Sequence, residues 1–329
     1  MLVRKKSFGR LLLIMLAAGI LLLAGCSADE QEQLTGVTIL LDWTPNTNYS
    51  GLYAAIDQGY YLEEGLDVEI IQAPGSVVQM VAAGQAEFGI SYQEEVTYAR
   101  ISDMPVVSIA AIIQHNTSGF ASLKDKNIET PKDFEGKSYG GWGSPVEEAT
   151  IKALMEQYDA DFESVDIVTT GEVDSLIVMQ READFVWIYY GWTGIEAELK
   201  GLELNFIELR QVDPALDYYT PVIITGEKLI ADYPGLVEKF MRATSRGYRL
   251  AIEDPLEAAG ILLEYAPELN EELVKASQQW LADRYQADAE TWGIQDRETW
   301  LAYSEWLYEE DLIEEIPDID DAFTNEFLR

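Results

Sequence analysis

Four short stretches of the chain place aromatic and acidic side chains where they could hold a flat, hydrogen-bonding ligand. Asp42-Trp43-Thr44-Pro45-Asn46-Thr47-Asn48-Tyr49 collects a carboxylate, an indole and two amides directly after a β-rich run. Ser91-Tyr92-Gln93-Glu94-Glu95 repeats the arrangement after another such run, and Gly140-Gly141-Trp142-Gly143-Ser144-Pro145-Val146-Glu147-Glu148 sits at a strand-to-helix passage. Trp187-Ile188-Tyr189-Tyr190-Gly191-Trp192 places aromatic residues at a strand end, with Tyr218 and Tyr219 farther on. Loops at the carboxyl ends of strands are where open α/β sheets bind ligands. Aromatic faces offer stacking, and carboxylates or amides offer hydrogen bonds to a ring edge. The plainer readings are that Asn46 and Pro45 make a turn, that Glu94 and Glu95 suit a helix N-terminus, and that the aromatic cluster packs two lobes together.

Other chemistries find little support. His115 is the single histidine, so it alone could serve a Ser/His/Asp triad, and no Gly-x-Ser-x-Gly elbow accompanies it. Cys26 is the single cysteine, which leaves no intrachain disulfide and no cysteine metal cluster. The glycine loop at 140–143 lacks the Lys-Ser/Thr that closes a phosphate-binding P-loop. No catalytic residue, metal or cofactor is expected. Acidic residues outnumber basic ones 59 to 22, a formal charge of −37, which argues against nucleic acid and anionic lipid as partners.

The elements that must position these loops alternate. Strands are expected at residues 37–41, 66–71, 86–91 and 106–113, with helices between them. The rhythm restarts with strands at 137–141, 165–169, 184–189 and 204–209, and the helix at 145–158 carries Pro145 in its first turn. Residues 219–225 read as extended, and the chain beyond 227 as helical. Such alternation predicts α/β units with largely parallel sheets. Two runs and a helical tail predict a first lobe at 37–124, a second at 125–220, and a return to the first at 221–329, with a cleft between. Crossings are expected near 122–128 and 219–222. The C-terminal helices should pack onto the first lobe.

The N-terminus reads as a secretory leader over residues 1–25: Arg4, Lys5, Lys6 and Arg10, then an apolar run from Leu11 to Leu23 too short for comfortable spanning. Leu23-Ala24-Gly25-Cys26 resembles a bacterial lipobox, which implies lipid on the Cys26 thiol, a tether at 26–36 and an extracytoplasmic protein anchored to the cell membrane.

LDWTPNTNYSGLY, FGISYQEEVTYAR, KDFEGKSYGGWGSP, IYYGWTGIEAELKG and LDYYTPVIIT together resemble the thiamin-pyrimidine precursor-binding lipoproteins of ABC importers, relatives of the yeast-type pyrimidine synthases. The resemblance spans most of the chain after the leader. It implies a type II periplasmic-binding-protein fold, an ABC permease as partner, a monomer, and N-formyl-4-amino-5-aminomethyl-2-methylpyrimidine or a close relative as ligand. Many relatives, and the synthase, have histidine where this chain has Tyr49. The synthase consumes that residue with help from a pyridoxal-bearing lysine and a cysteine-rich motif, and the missing histidine and cysteines speak against synthase chemistry here. The expected ring walls are Trp43, Tyr92, Trp142, Tyr189 and Trp192, with Tyr190 a further expected ligand contact. The expected polar contacts are Asp42, Asn46, Glu94, Glu147 and Glu148, with Gly143 and Ser144 beside them. A sulfonate or nitrate binder is the alternative within the fold, and a pyrimidine synthase the alternative of another class.

Overall fold

The computed structural model describes residues 34–171 and 173–328; the expected leader, Cys26 and most of the tether lie outside the described residues. The tether ends earlier than expected, because β1 (Thr35–Leu41) already begins at Thr35. Its partners are β2 (Leu66–Gln72), β3 (Phe88–Ser91), β4 (Val106–Ala111) and, much later, β10 (Val222–Gly226), in the order β2-β1-β3-β10-β4. The second sheet has the same plan, β7-β6-β8-β5-β9, from β5 (Ser118–Leu123), β6 (Ser138–Gly141), β7 (Asp166–Thr169), β8 (Phe185–Tyr189) and β9 (Leu204–Glu208).

Neither sheet is purely parallel. β1 runs parallel to β3, while β10 is antiparallel to both β3 and β4. In the second sheet β6 is parallel to β7 and β8, and β5 is antiparallel to β8 and β9. The antiparallel strands are those the chain makes as it passes between lobes. β5 is also the strand that sequence reading missed, because Ser118-Gly119-Phe120-Ala121-Ser122 has no apolar alternation. A Cβ at Gly119 would lie 2.3 Å from the Ile207 carbonyl oxygen, so close strand pairing requires the glycine that hides the signal. The first crossing therefore runs through residues 112–117, not 122–128. The second runs through residues 209–221 and leads into β10.

The helices between strands are α1 (Ser50–Asp57), α2 (Val77–Ala82), α3 (Gln93–Ile101), α4 (Pro145–Glu156), α5 (Ser175–Arg181) and α6 (Ile195–Leu199). The tail adds α7 (Glu227–Asp232), α8 (Pro234–Glu253), α9 (Pro255–Tyr265), α10 (Glu271–Tyr285) and α11 (Arg297–Glu309). α8 lays Val237, Phe240, Met241, Thr244 and Tyr248 at helical spacing into the first core, where Phe240 stacks on Phe88 at 3.8 Å between ring centroids. α11 departs from the expected docking on the first lobe alone. Its Trp300 belongs to the first-lobe cluster, whereas Tyr303, Trp306 and Leu307 lie in the second-lobe core.

Candidate functional site

Between the lobes lies a cleft of about 620 Å³, lined from both sides and by both crossings. The loop after β1 supplies Asp42, Trp43 and Asn46 to it. Asn46 is almost fully buried and works within the loop: its amide donates to the Thr44 carbonyl at 2.9 Å and its Oδ1 accepts the Asn48 N–H at 2.9 Å. Tyr285 and Tyr248 of the tail fix the same loop by donating to the carbonyls of Thr47 and Asn48, at 2.6 and 2.8 Å. Tyr49, also buried, donates to Asp42 Oδ1 at 2.6 Å. Tyr92 and Glu94, at the start of α3, complete the first-lobe wall.

The second-lobe wall holds Trp142, Ser144, Trp187, Tyr189 and Trp192, with Thr117, Tyr218 and Thr220 contributed by the crossings. Trp43, Trp142 and Tyr189 remain 52%, 46% and 41% exposed, so three large aromatic side chains keep much of their surface free inside one cleft. Trp142 meets Trp187 edge-on at 5.7 Å, and the Trp187 indole N–H has no hydrogen-bond partner although the residue is 5% exposed. Buried donors are seldom left unpaired.

Four of the expected contacts lie off the lining. Glu147 turns inward: its carboxylate accepts the Tyr139 hydroxyl and the backbone N–H groups of Trp142, Gly143 and Ser144, the last two at 2.7 and 2.8 Å. It is the N3 member of a capping box with Ser144, so it shapes the loop that carries Trp142. A Cβ at Gly141 would sit 2.2 Å from that carboxylate, and Gly143 has φ +97°, which accounts for both glycines. Gly143 lends only its N–H to Glu147, and Glu148 is exposed on the outer face of α4. Tyr190 points the other way along the strand end, packing on Phe206 and Trp280 with its hydroxyl on Glu198. Sequence reasoning did not select Trp187, Thr117, Thr220 or Asp174 for the lining. Trp187 stood inside the aromatic run, and the others carry no local signal.

The cleft's electrostatics are one-sided. Asp42, Glu94, Asp174 and Glu196 line it, and no Lys, Arg or His does among the described residues. Asp42 keeps an edge open to the cleft, yet the surrounding walls strip enough hydration to push its carboxyl up to about 6; the Tyr49 hydroxyl opposes this and nearby Glu95 adds to it. Burial, then the Glu95 charge, pushes Glu94 up to about 7, against a long 3.4 Å hydrogen bond from Tyr303. His115 stands outside the cleft lining, at the crossings, with Nδ1 2.7 Å from Asp217 and Nε2 2.9 Å from Asp288. Its partners are two carboxylates with no nucleophile between, which is the arrangement of a structural clamp. Among the described residues no group of His, Cys, Asp and Glu is placed to hold a metal ion.

Two α/β lobes, two crossings and a cleft lined from both sides define a type II periplasmic-binding-protein fold. The aliphatic sulphonate-binding protein SsuA of Escherichia coli shares it, with a TM-score of 0.67 over 90% of this chain and 99% of that one at 13% identity. The chain belongs to the NMT1/THI5-like family, whose sequence profile matches residues 46–258. The formylaminopyrimidine-binding protein of Halalkalibacterium halodurans is 31% identical over 95% of this chain and 98% of its own length. A 4-amino-5-hydroxymethyl-2-methylpyrimidine phosphate synthase of Saccharomyces cerevisiae, THI11, is 24% identical over 72% of this chain and 73% of its own.

Proposed function

We propose that this protein captures a small aminopyrimidine, N-formyl-4-amino-5-aminomethyl-2-methylpyrimidine or a close relative, outside the cytoplasm and delivers it to an ABC importer without chemical change. The observation that carries the reading is the cleft itself: three open aromatic side chains beside carboxylates, with no lining cation among the described residues. A flat ring with N–H donors satisfies both features. Stacking adds about 0.5–1.5 kcal/mol beyond area burial, and a hydrogen bond to a charged group about 1.5–3 kcal/mol. The similarity to a formylaminopyrimidine-binding protein over nearly the whole chain supports the same ligand class. Tyr49, at the position where the synthase has a histidine, is engaged with Asp42, in keeping with a binder.

The sulfonate reading rests on the shared fold alone, and an anion would meet Asp42, Glu94, Asp174 and Glu196 with no guanidinium or ammonium among the described residues to receive it. The lipobox-like residues before Cys26 support a membrane-anchored protein, one that Cys26→Ser would shed while leaving ligand binding intact. Thermal melting against the formylated pyrimidine, its deformylated amine, thiamin, nitrate and an alkanesulfonate tests the function. The formylated pyrimidine should raise Tm most. A rise with the sulfonate and none with any pyrimidine would reverse the reading.

A further inference from the structure

The chemistry of the first-lobe wall says more about how such a ligand is held, on the premise that the ligand is an aminopyrimidine. The edge of a 4-aminopyrimidine presents an exocyclic N–H beside a ring nitrogen whose lone pair points outward. A carboxylate presents two acceptors. One oxygen accepts the N–H, and the other then faces the lone pair, which is repulsive. A single added proton removes the conflict. Either the carboxyl O–H donates to the ring nitrogen, or the protonated ring nitrogen donates to the carboxylate, and in both forms the complex holds one proton more than the separated carboxylate and neutral base. We propose that one carboxyl of the pair Asp42 and Glu94 closes on the aminopyrimidine edge in this way, so that capture takes up one proton from solvent.

The surroundings favour that outcome. The titratable groups facing this wall are Asp42, Glu94 and Glu95, with Glu147 behind the Trp142 loop and the hydroxyls of Tyr49, Tyr92, Tyr98, Tyr189, Tyr218, Tyr248 and Tyr303 around them. Hydroxyl donors engage part of the cluster: Tyr49 on Asp42 Oδ1, Ser91 on Glu95 at 2.7 Å, and Tyr303 distantly on Glu94 Oε2. Among the described residues no side chain donates to Asp42 Oδ2 or Glu94 Oε1, whose partners Oδ1 and Oε2 take the hydroxyls, and no cation lines the cleft. Both carboxyls hold a proton more readily than usual, at about 6 and about 7, so a proton is within reach near neutrality. The same wall disfavours any ligand that brings a phosphate. Across the cleft, the Trp187 N–H is, among the described residues of the lining, the one buried side-chain donor without an acceptor, suited to an acceptor at the other end of the ligand.

Calorimetric titration with the formylated pyrimidine, whose formamide side chain does not titrate, tests the idea at about pH 8 in phosphate and in Tris. The difference in observed heat between two buffers of unlike ionisation enthalpy counts protons. Uptake approaching one is expected, with affinity falling about tenfold per pH unit above that, since one linked proton gives that slope. Asp42→Asn and Glu94→Gln identify the partner. An amide already presents a carbonyl beside an N–H, so at the pairing position the substitution should abolish uptake and flatten the pH dependence, gaining on the wild type as pH rises. At the other position it should weaken binding at every pH and leave the slope. Wild-type binding with no proton taken up and a flat affinity from about pH 7 to 9 overturns the proposal, as do two amide variants that both keep the uptake. If both variants lose binding, the wild-type proton count alone decides. A wild type that binds no pyrimidine at any pH would instead sink the functional reading.

Discussion

At the scale of single residues, Glu147 shows how a plausible ligand contact can serve the frame instead. Its carboxylate is the shared acceptor for Tyr139 and for three consecutive N–H groups at Trp142, Gly143 and Ser144. Glu147→Gln replaces one acceptor oxygen with an amide NH2, itself a donor, that faces these donors. Unpaired buried donors cost about 1–3 kcal/mol, so denaturant unfolding of the ligand-free variant should show a loss of about 2 kcal/mol. Unchanged stability with weakened binding would return Glu147 to the ligand. Sequence alone could not decide this. Glu147 and Glu148 stand side by side as acidic residues in a first helical turn, and only the positive φ at Gly143 folds the loop back over one of them. Asp42 and Trp43 were legible because they follow a recognisable strand, whereas Tyr189 and Tyr190 differ only in which way a strand end points.

At the scale of elements, the strands with apolar runs were readable to within a residue or two, and the two lobes followed from their rhythm. β5 was not, because a strand pressed against β9 at Gly119 must give up the side chain that would mark it. The crossings carry a second device invisible in sequence. His115 of the first crossing is held between Asp217 of the second and Asp288 after α10. The hydrogen bond to Asp217 leads in holding the imidazolium above the ordinary histidine range, and Asp288 adds to it. A raised folded-state value means that this stabilisation is complete below the unfolded histidine pKa, about 6.5, and is lost as pH rises through the folded value. Asp42 and Glu94, also raised, lose their contribution in the same direction, but between about pH 4 and 7. Chemical denaturation from about pH 7.5 to 9.5 should therefore show wild-type stability declining while His115→Gln stays nearly level. Parallel curves would mean that the clamp carries no charge.

At the scale of the molecule, the chain leaves the first sheet from β4 into β5 and returns from β9 into β10; β4 lies beside β10 and β5 beside β9, so the crossings run as a pair. A paired hinge allows bending about one axis. Small-angle scattering should give a smaller radius of gyration with saturating pyrimidine than without, and an identical radius would count against closure. The helix α11 adds a restraint of another kind, in time. During synthesis, a chain free to residue 208 already has every strand of the second sheet, while the first still waits for β10. Neither core is complete even then, since Trp300 belongs to one and Tyr303 and Trp306 to the other. Domains settle as units once their sequence is available. Here one helix supplies side chains to both, so neither lobe can close its core ahead of the other until α11 has been made.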